Sequence, residues 1–294
     1  AIDRQCASGR MAIATAAKQV VDDGMQVTVG GGLESISLVQ NEHRNAFRAQ
    51  DPWLNEHVPA VYMSMLETAE TVGARYNVSR DAQDEFAFQS QQRTAIAQQA
   101  GKFDDEIVPL TSTMLVQDKE TKEISEREMT LEKDEGNRPS TTMEGLSGLQ
   151  PVFKDGMAIK EGKFITAGNA SQISDGAAAL LLMTEAKAAA LGLTPRARIV
   201  DSCLVGTDPE LMLTGPIDAT ERLLRRNSLT IDDFDVFEIN EAFASVVLAW
   251  AKQTGADLER TNPNGGAIAL GHPLGGTGAF LMTKALYELE RIEG

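Results

Sequence analysis

Hydrophobic and polar positions divide the chain into four stretches. Residues 1–38 combine an alanine-rich stretch of helical type with a strand and a turn. Residues 39–163 are polar and charged, and residues 164–191 return to a strand followed by an alanine-rich helix. After a linker at Pro195, residues 196–294 alternate strand, helix, strand and helix. This alternation predicts an α/β fold.

The polar stretch contains two predicted helices. One covers Leu66–Tyr76, and the other covers Arg80–Ala100, with Ser79 as its candidate N-cap and Gly101 as its stop signal. Residues 117–135 are strongly charged, which predicts an exposed, solvated hairpin or loop.

The composition is that of a globular protein, because 42% of the 294 residues are hydrophobic. A formal net charge of -16 repels nucleic acid and anionic membrane surfaces. No stretch is long and apolar enough to span a bilayer, and no secretory signal is visible. The two cysteines are far apart in sequence, which favours a reducing compartment. We therefore expect a cytoplasmic protein, with organellar targeting left open because an N-terminal targeting peptide could have been lost.

Cys6 directly precedes the predicted alanine-rich helix, so its thiol is expected at a helix N-terminus. The unpaired amides and the dipole at that end favour negative charge, which lowers a thiol pKa and raises the fraction of nucleophilic thiolate. The alternative is a small buried cysteine ahead of a core helix. The remaining motifs of the chain favour the reactive thiol.

A candidate base lies near the other end of the chain. His272 is embedded in the glycine-rich segment Asn262–Gly278, where glycines let a backbone approach a ligand closely. Phe237–Ala244 is a short apolar run that delivers two polar side chains ahead of a helix, and Asn240 is well placed there as a fixed hydrogen-bond donor. Cys6, His272 and Asn240 are therefore the candidate catalytic residues.

Several sequence blocks resemble the thiolase family, the acyl-CoA:acetyl-CoA C-acyltransferases. They are Cys6–Gly9 with Val29–Ser35, Gly168–Ser171 with Asp175–Ala179, Asn240–Phe243 and Gly271–Pro273. The resemblance implies an α/β fold with a layered αβαβα architecture of two similar core domains. It places the N-terminal domain at residues 1–193, with a loop domain inserted at about 39–163, and the C-terminal domain at residues 194–294.

The resemblance also implies an acyltransferase of fatty acid metabolism, including β-oxidation. Such an enzyme cleaves 3-oxoacyl-CoA to acyl-CoA and acetyl-CoA, or runs the reverse Claisen condensation, through a cysteine acyl-enzyme. His272 would take the proton from Cys6, whose backbone amide would serve the acyl-enzyme oxyanion. His272 and a water held by Asn240 would stabilise the charge that develops on the second thioester.

Four further residues match positions that contact substrate in the family. Ser171 lies in the segment that lines the pantetheine tunnel, Met65 matches an acyl-pocket methionine, Arg138 matches a CoA contact, and Phe243 ends the Asn-Glu-Ala-Phe signature. From the residues alone, Met65 could be a core side chain and Arg138 a surface arginine. Ser64 replaces a histidine of many short-chain thiolases, which argues against a strictly acetoacetyl-type specificity. The resemblance also implies that the substrates are CoA thioesters and that no metal or other cofactor is needed. It further implies that the protein forms a homodimer or a homotetramer.

One departure from the family pattern concerns a second catalytic cysteine, which thiolases carry in a Cys-x-Gly-Gly-Gly context. The predicted helix Thr277–Glu290 runs to the last residue, Gly294, without it. Cys203 lies in a β-rich run without glycines, which predicts a buried structural thiol. We therefore expect a fragment that lacks the start of the first core domain and the last strands of the second, with the missing cysteine just beyond Gly294.

Three alternatives stay open. A 3-oxoacyl synthase-like condensing enzyme also has a nucleophilic cysteine, but it commonly needs two downstream histidines, and His43 and His57 both lie in the polar stretch. A non-catalytic acyl-CoA-binding or lipid-binding thiolase-like protein is disfavoured because Cys6, His272 and Asn240 are all present. A structural remnant or oligomerisation module is the third. Acyl chain length, direction of reaction and oligomeric state are left open by the sequence.

Overall fold

The computed structural model describes residues 1–294 and contains eleven α-helices and four β-strands. The helices are α1 (Ser8–Val21), α2 (Ile36–Val39), α3 (Pro52–His57), α4 (Met65–Arg75), α5 (Arg80–Gln99), α6 (Met143–Ser147), α7 (Glu185–Ala190), α8 (Gly215–Asn227), α9 (Ala244–Thr254), α10 (Ala267–Leu270) and α11 (Leu274–Ile292). The strands are β1 (Val27–Glu34), β2 (Leu110–Gln117), β3 (Ile124–Leu131) and β4 (Gly176–Met183). No helix combines the length and the apolar content needed to cross a membrane.

Strands β1 and β4 pair antiparallel, with Val29 opposite Leu181, and helices α1 and α11 pack against this pair. Because side chains alternate along a strand, Thr28 and Gly30 are buried beneath the helices while Val29 points to the exposed side. Gly30 is required for close packing, since a Cβ there would lie 2.7 Å from the Cα of Ile13 in α1. The sheet thus holds α1 and α11 side by side.

The largest hydrophobic core surrounds Trp250 of α9, which is 1% exposed. Phe86 of α5, Ile217 of α8 and Ile268 of α10 belong to the same cluster. The indole N–H is satisfied by a 2.9 Å hydrogen bond to Thr220 Oγ1. This core fixes α10, the short helix that leads to His272.

The predicted helices and the charged hairpin are confirmed. Helix α4 covers Met65–Arg75, and α5 begins at Arg80, where Ser79 Oγ accepts the Ala82 N–H at 3.2 Å. Strands β2 and β3 form an antiparallel hairpin whose residues are almost all exposed. The cap and stop signals therefore located α5 correctly, and the charge pattern identified the exposed hairpin.

The strands predicted beyond Pro195 are wrong. Residues 196–206 form no strand, because no backbone hydrogen bond joins them to a neighbouring segment. The apolar run before Asn240 makes only one bridge of strand type, between Phe237 and Thr261. Cys203 is also not the buried thiol that was predicted, since it is only half-buried and its Sγ approaches the Ala219 carbonyl at 3.5 Å. β-rich composition does not make a strand without a hydrogen-bonded neighbour.

Candidate active site

Cys6 and His272, separated by 266 positions in the sequence, meet at hydrogen-bonding distance. Cys6 Sγ lies 3.2 Å from His272 Nε2. Cys6 belongs to a 3₁₀ turn at Gln5–Ala7 that leads directly into α1. His272 is 5% exposed and lies in the turn between α10 and α11. The structure therefore brings the candidate nucleophile and the candidate base together.

Thr277 fixes the tautomer of the His272 ring. Thr277 lies in the first turn of α11, and its hydroxyl oxygen is 2.9 Å from the carbonyl of Pro273 just ahead of that helix. A carbonyl can only accept, so the single hydroxyl proton of Thr277 is directed to it. The Thr277 oxygen, 2.6 Å from His272 Nδ1, therefore accepts the Nδ1–H. A neutral imidazole has one N–H, so Nε2 carries a lone pair that faces the Cys6 thiol. This arrangement can accept the thiol proton.

Asn240 completes the group of three. Its Nδ2 lies 3.3 Å from His272 Nε2, while its Oδ1 is buried without a hydrogen-bond partner in the chain. A buried polar atom without a partner costs stability, so this amide is placed for a ligand or a water.

The neighbouring Glu241 anchors the Asn240 segment. Its carboxyl group is 1% exposed and accepts hydrogen bonds from Ser90 Oγ at 2.7 Å, Asn262 Nδ2 at 2.9 Å and the Ile268 N–H at 3.1 Å. These donors come from α5, from the first residue of the glycine-rich segment and from α10 within that segment. Glu241 thus ties that loop to the segment of Asn240.

Four glycines let the elements that carry Cys6 and His272 touch through their backbones. A Cβ at Gly278 of α11 would lie 2.2 Å from the Arg10 nitrogen of α1. A Cβ at Gly32 of β1 would lie 1.9 Å from the Gly275 carbonyl oxygen, and one at Gly9 would lie 2.9 Å from the same oxygen. Real Cβ atoms do not approach backbone so closely, so glycine is required at these contacts. Cys6 lies three residues ahead of Gly9, and His272 lies three residues ahead of Gly275, so both side chains are close to this backbone contact.

The electrostatics differ from the sequence-based expectation of an acidic thiol. Burial raises the pKa of the Cys6 thiol, and this effect outweighs the backbone amide that favours the thiolate, while the negative charge of Glu34 raises the pKa further. Burial also lowers the pKa of His272 to about 4. The expected lowering of the Cys6 pKa is therefore wrong. The resting pair is a neutral thiol hydrogen bonded to a neutral imidazole.

Three of the four candidate substrate residues lie together beside the Asn240 segment. Phe243 is buried in a small apolar cluster against which half-buried Met65 packs. The Ser171 N–H donates to the Ala242 carbonyl at 3.0 Å. Arg138 is not part of this group, since its side chain is exposed and makes no hydrogen bond or ion pair within the chain. Its backbone N–H donates instead to Gln91 Oε1 at 2.8 Å.

Comparison with known proteins decides the family. Residues 1–186 match the family model for the thiolase N-terminal domain, and residues 193–294 match that for the thiolase C-terminal domain. This chain belongs to the thiolase family. The peroxisomal 3-ketoacyl-CoA thiolase B of Rattus norvegicus is 44% identical over 292 residues, which cover 99% of this chain and 66% of that relative. The chain thus spans about two thirds of the length of this relative.

Solved thiolase structures share the fold. The dimeric peroxisomal thiolase of Saccharomyces cerevisiae superposes with a TM-score of 0.86 at 36% identity, covering 98% of this chain and 69% of that one. Human mitochondrial 3-ketoacyl-CoA thiolase in complex with CoA gives a TM-score of 0.82 at 37% identity, covering 100% of this chain and 72% of that one. The predicted family and the predicted thiolase-like α/β fold class are confirmed.

Sequence reasoning missed several residues of this thiolase's site. Thr277 and Glu241 lie inside the segments that drew attention to His272 and Asn240, and the spacing of five residues between His272 and Thr277 was the available signal. Gln91 had no such signal, because it is one of several glutamines on an ordinary-looking helix. Its partners become visible only once the chain is folded.

Proposed function

We propose that this thiolase is an acyltransferase that cleaves 3-oxoacyl-CoA thiolytically to acyl-CoA and acetyl-CoA, or runs the reverse Claisen condensation. The observation that carries the proposal is the 3.2 Å contact between Cys6 Sγ and a His272 Nε2 whose lone pair is held toward the thiol. A relative covering nearly the whole of this chain bears the name 3-ketoacyl-CoA thiolase. The whole protein's activity is inferred from these two supports.

In the cleavage direction, Cys6 Sγ attacks the 3-oxo carbon while His272 Nε2 takes the thiol proton. The bond between C2 and C3 then breaks, leaving the acyl group on Cys6 and acetyl-CoA as an enolate that must gain a proton. The acid that protonates this enolate recovers its proton from the thiol of a second CoA, which attacks the acyl-enzyme. Cys6 leaves as a thiolate and takes back the proton held by His272. The Asn240 amide, 3.3 Å from His272 Nε2, supports a role in stabilising the enolate oxygen directly or through a water.

The substrate contacts follow the same proposal. Met65 and Phe243 share an apolar cluster that suits an acyl or pantetheine chain, and Ser171 is joined to that segment by its backbone. The exposed Arg138 guanidinium is available for the anionic end of CoA. CoA is bound in the human neighbour, which supports CoA thioesters as substrates here.

Mass spectrometry after incubation with acetyl-CoA tests the proposed function. We expect one acetyl group on Cys6 in the wild-type protein and none in Cys6→Ser, because a serine hydroxyl is far harder to deprotonate than a thiol. Unlabelled wild-type protein that binds acyl-CoA would favour the non-catalytic alternative. A synthase-like enzyme is disfavoured further because His43 and His57 are both exposed and neither hydrogen bonds to Cys6.

The proposal extends to assembly, domains and compartment. The proposed assembly is a homodimer or a homotetramer; the dimeric yeast neighbour supports the dimer, and analytical ultracentrifugation distinguishes the two. Division into domains at 1–193 and 194–294, with residues 39–163 inserted into the first, can be checked by limited proteolysis. Two free cysteines support a reducing compartment, for which we propose the cytoplasm, to be tested by cell fractionation.

A further inference from the structure

Gln91 of α5 joins two segments that are distant in sequence. Its side chain is 5% exposed, and its Nε2 donates to the Ile268 carbonyl at 3.1 Å. Its Oε1 accepts the Arg138 N–H at 2.8 Å and Asn137 Nδ2 at 3.1 Å. One buried amide therefore satisfies both the segment of Arg138 and the helix that precedes His272.

The Ile268 carbonyl belongs to α10, a helix of only four residues. Carbonyls at the end of so short a helix have no following turn to bond, so they need partners from elsewhere. Gln172 supplies a second one, since its Nε2 donates to Ile268 O at 2.9 Å and to Gly136 O at 2.8 Å. The backbone carbonyl of Gln172 accepts the His272 N–H at 2.7 Å. Two glutamines thus hold the turn of His272 and the 136–138 segment in one network.

Glutamine is the side chain that this junction requires. It offers a donor to Ile268 O and an acceptor to the Arg138 N–H at the same time. A glutamate in its place would keep the acceptor but turn a carboxylate oxygen toward the Ile268 carbonyl, where two acceptors would repel. The neighbouring Gln92 bonds only to Pro139 O, at 3.2 Å in an exposed position, and does not reach α10.

We propose that Gln91 is a positioning residue for His272, and that it makes the placement of this base depend on the segment that carries Arg138. The role rests on the proposed function, because it assigns proton transfer to His272 and a CoA contact to Arg138. A change at Gln91 should then disturb the reactivity of Cys6, although Gln91 does not touch it. Loss of fold stability alone would leave the reactivity of Cys6 in the folded protein unchanged.

The test compares Gln91→Glu with Gln92→Ala in the full chain, in backgrounds with and without His272→Ala. The readouts are the rates of Cys6 alkylation by iodoacetamide and of acetylation by acetyl-CoA, both from about pH 4 to 10 so that the titrations of His272 and Cys6 are covered, and the melting temperature. We expect Gln91→Glu to slow both reactions about tenfold and to change the pH profile, with Gln92→Ala near wild type. In the His272→Ala background, Gln91→Glu should have no further effect, because its action passes through His272.

Equal slowing by Gln91→Glu in both backgrounds would overturn the proposal, and so would wild-type Cys6 reactivity in a folded Gln91→Glu protein. If the glutamate variant does not fold, Gln91→Met replaces it in the same comparison. Methionine has a similar length and makes neither of the hydrogen bonds of Gln91. Wild-type protein that is alkylated but never acetylated would overturn the proposed function instead. The alkylation data would still decide the role of Gln91.

Discussion

The Thr277 hydroxyl lies 2.6 Å from His272 Nδ1 and, because it donates its own proton to a backbone carbonyl, can only accept from the ring. Thr277→Val keeps the shape and removes the acceptor, so the imidazole proton is free to move to Nε2. That tautomer has no lone pair for the Cys6 thiol. We expect acetylation of Cys6 to slow by about ten- to a hundredfold, measured in a single turnover by mass spectrometry.

Thr277→Ser is the matched control, because it restores the hydroxyl without the methyl group. It should recover most of the rate, whereas a merely structural role for Thr277 would leave the serine and valine variants equally impaired. Full activity in Thr277→Val would mean that another group orients His272.

The acid limb of the acetylation rate reports on His272. Burial lowers the pKa of this ring to about 4, so its neutral, proton-accepting form persists as the pH falls through 6 and 5. We therefore expect the rate of Cys6 acetylation to stay level down to about pH 5 and to fall only near pH 4. A midpoint between pH 6 and 7, the range of an ordinary histidine, would contradict the buried placement of the ring.

The charge of Glu34 should be visible in the titration of Cys6. Burial is the main cause of the raised Cys6 pKa, and Glu34 adds to it through its negative charge. Glu34 Oε2 also accepts the Gly275 N–H at 3.1 Å, a bond that a glutamine oxygen can replace. Glu34→Gln should therefore lower the Cys6 pKa and shift the pH profile of iodoacetamide labelling toward lower pH. Exposed Glu42→Gln is the control, and an unchanged midpoint in Glu34→Gln would refute the electrostatic contribution.

Local signals explain how much could be predicted from the sequence. Helix α5 was located because Ser79 and Gly101 are cap and stop residues whose effect is confined to one turn of helix. The expected strand around Cys203 was wrong because a strand depends on a neighbour that no local pattern specifies. Strand formation is therefore less predictable than a capped helix.

In the site, the residues that could react were predictable from the sequence, whereas the surroundings of each residue in the fold were not. Cys6 could be selected because it directly precedes a predicted helix, His272 because it stands among glycines, and Asn240 because it follows a short apolar run. The resemblance of all three segments to thiolase motifs supported the same choice. The raised pKa of Cys6 could not be foreseen, since burial in the folded chain outweighs the helix N-terminus. Gln91 and Thr277 were missed because their roles depend on which atoms lie opposite them.

Glu67 of α4 should stabilise the fold in a pH-dependent manner. Its side chain is 1% exposed and accepts the backbone N–H groups of Met157, Ala158 and Ile159 at 2.6–3.0 Å. Burial disfavours the ionised carboxylate and by itself would raise the pKa of Glu67. The three backbone hydrogen bonds outweigh burial and hold this pKa below the usual range. Glu67→Gln should cost about 2–3 kcal/mol of unfolding free energy at pH 7, measured with urea.

The sign of the pH effect follows from that lowered pKa. The unfolded state binds the Glu67 proton more tightly, so the stabilisation is present above about pH 4.3 and is lost as the pH falls through the folded pKa. The difference between wild type and Glu67→Gln should therefore shrink on acidification. Exposed Glu85→Gln on α5 should show little difference at either pH. A constant gap between wild type and Glu67→Gln down to pH 3 would contradict the lowered pKa.

Gly278→Ala should impair catalysis more than it impairs folding. The new Cβ would lie 2.2 Å from the Arg10 nitrogen and 2.7 Å from its Cβ, so α11 and α1 must separate. Cys6 leads into α1 and His272 precedes α11, so their 3.2 Å contact should lengthen. Overpacking costs about 1–3 kcal/mol of stability, whereas a displacement of ~1 Å at reacting atoms slows chemistry about a hundredfold. Gly206→Ala is the control, since a Cβ there has no atom within 4 Å. If acetylation of Cys6 is equally fast in the two folded variants, the glycine contact does not set the distance between thiol and base.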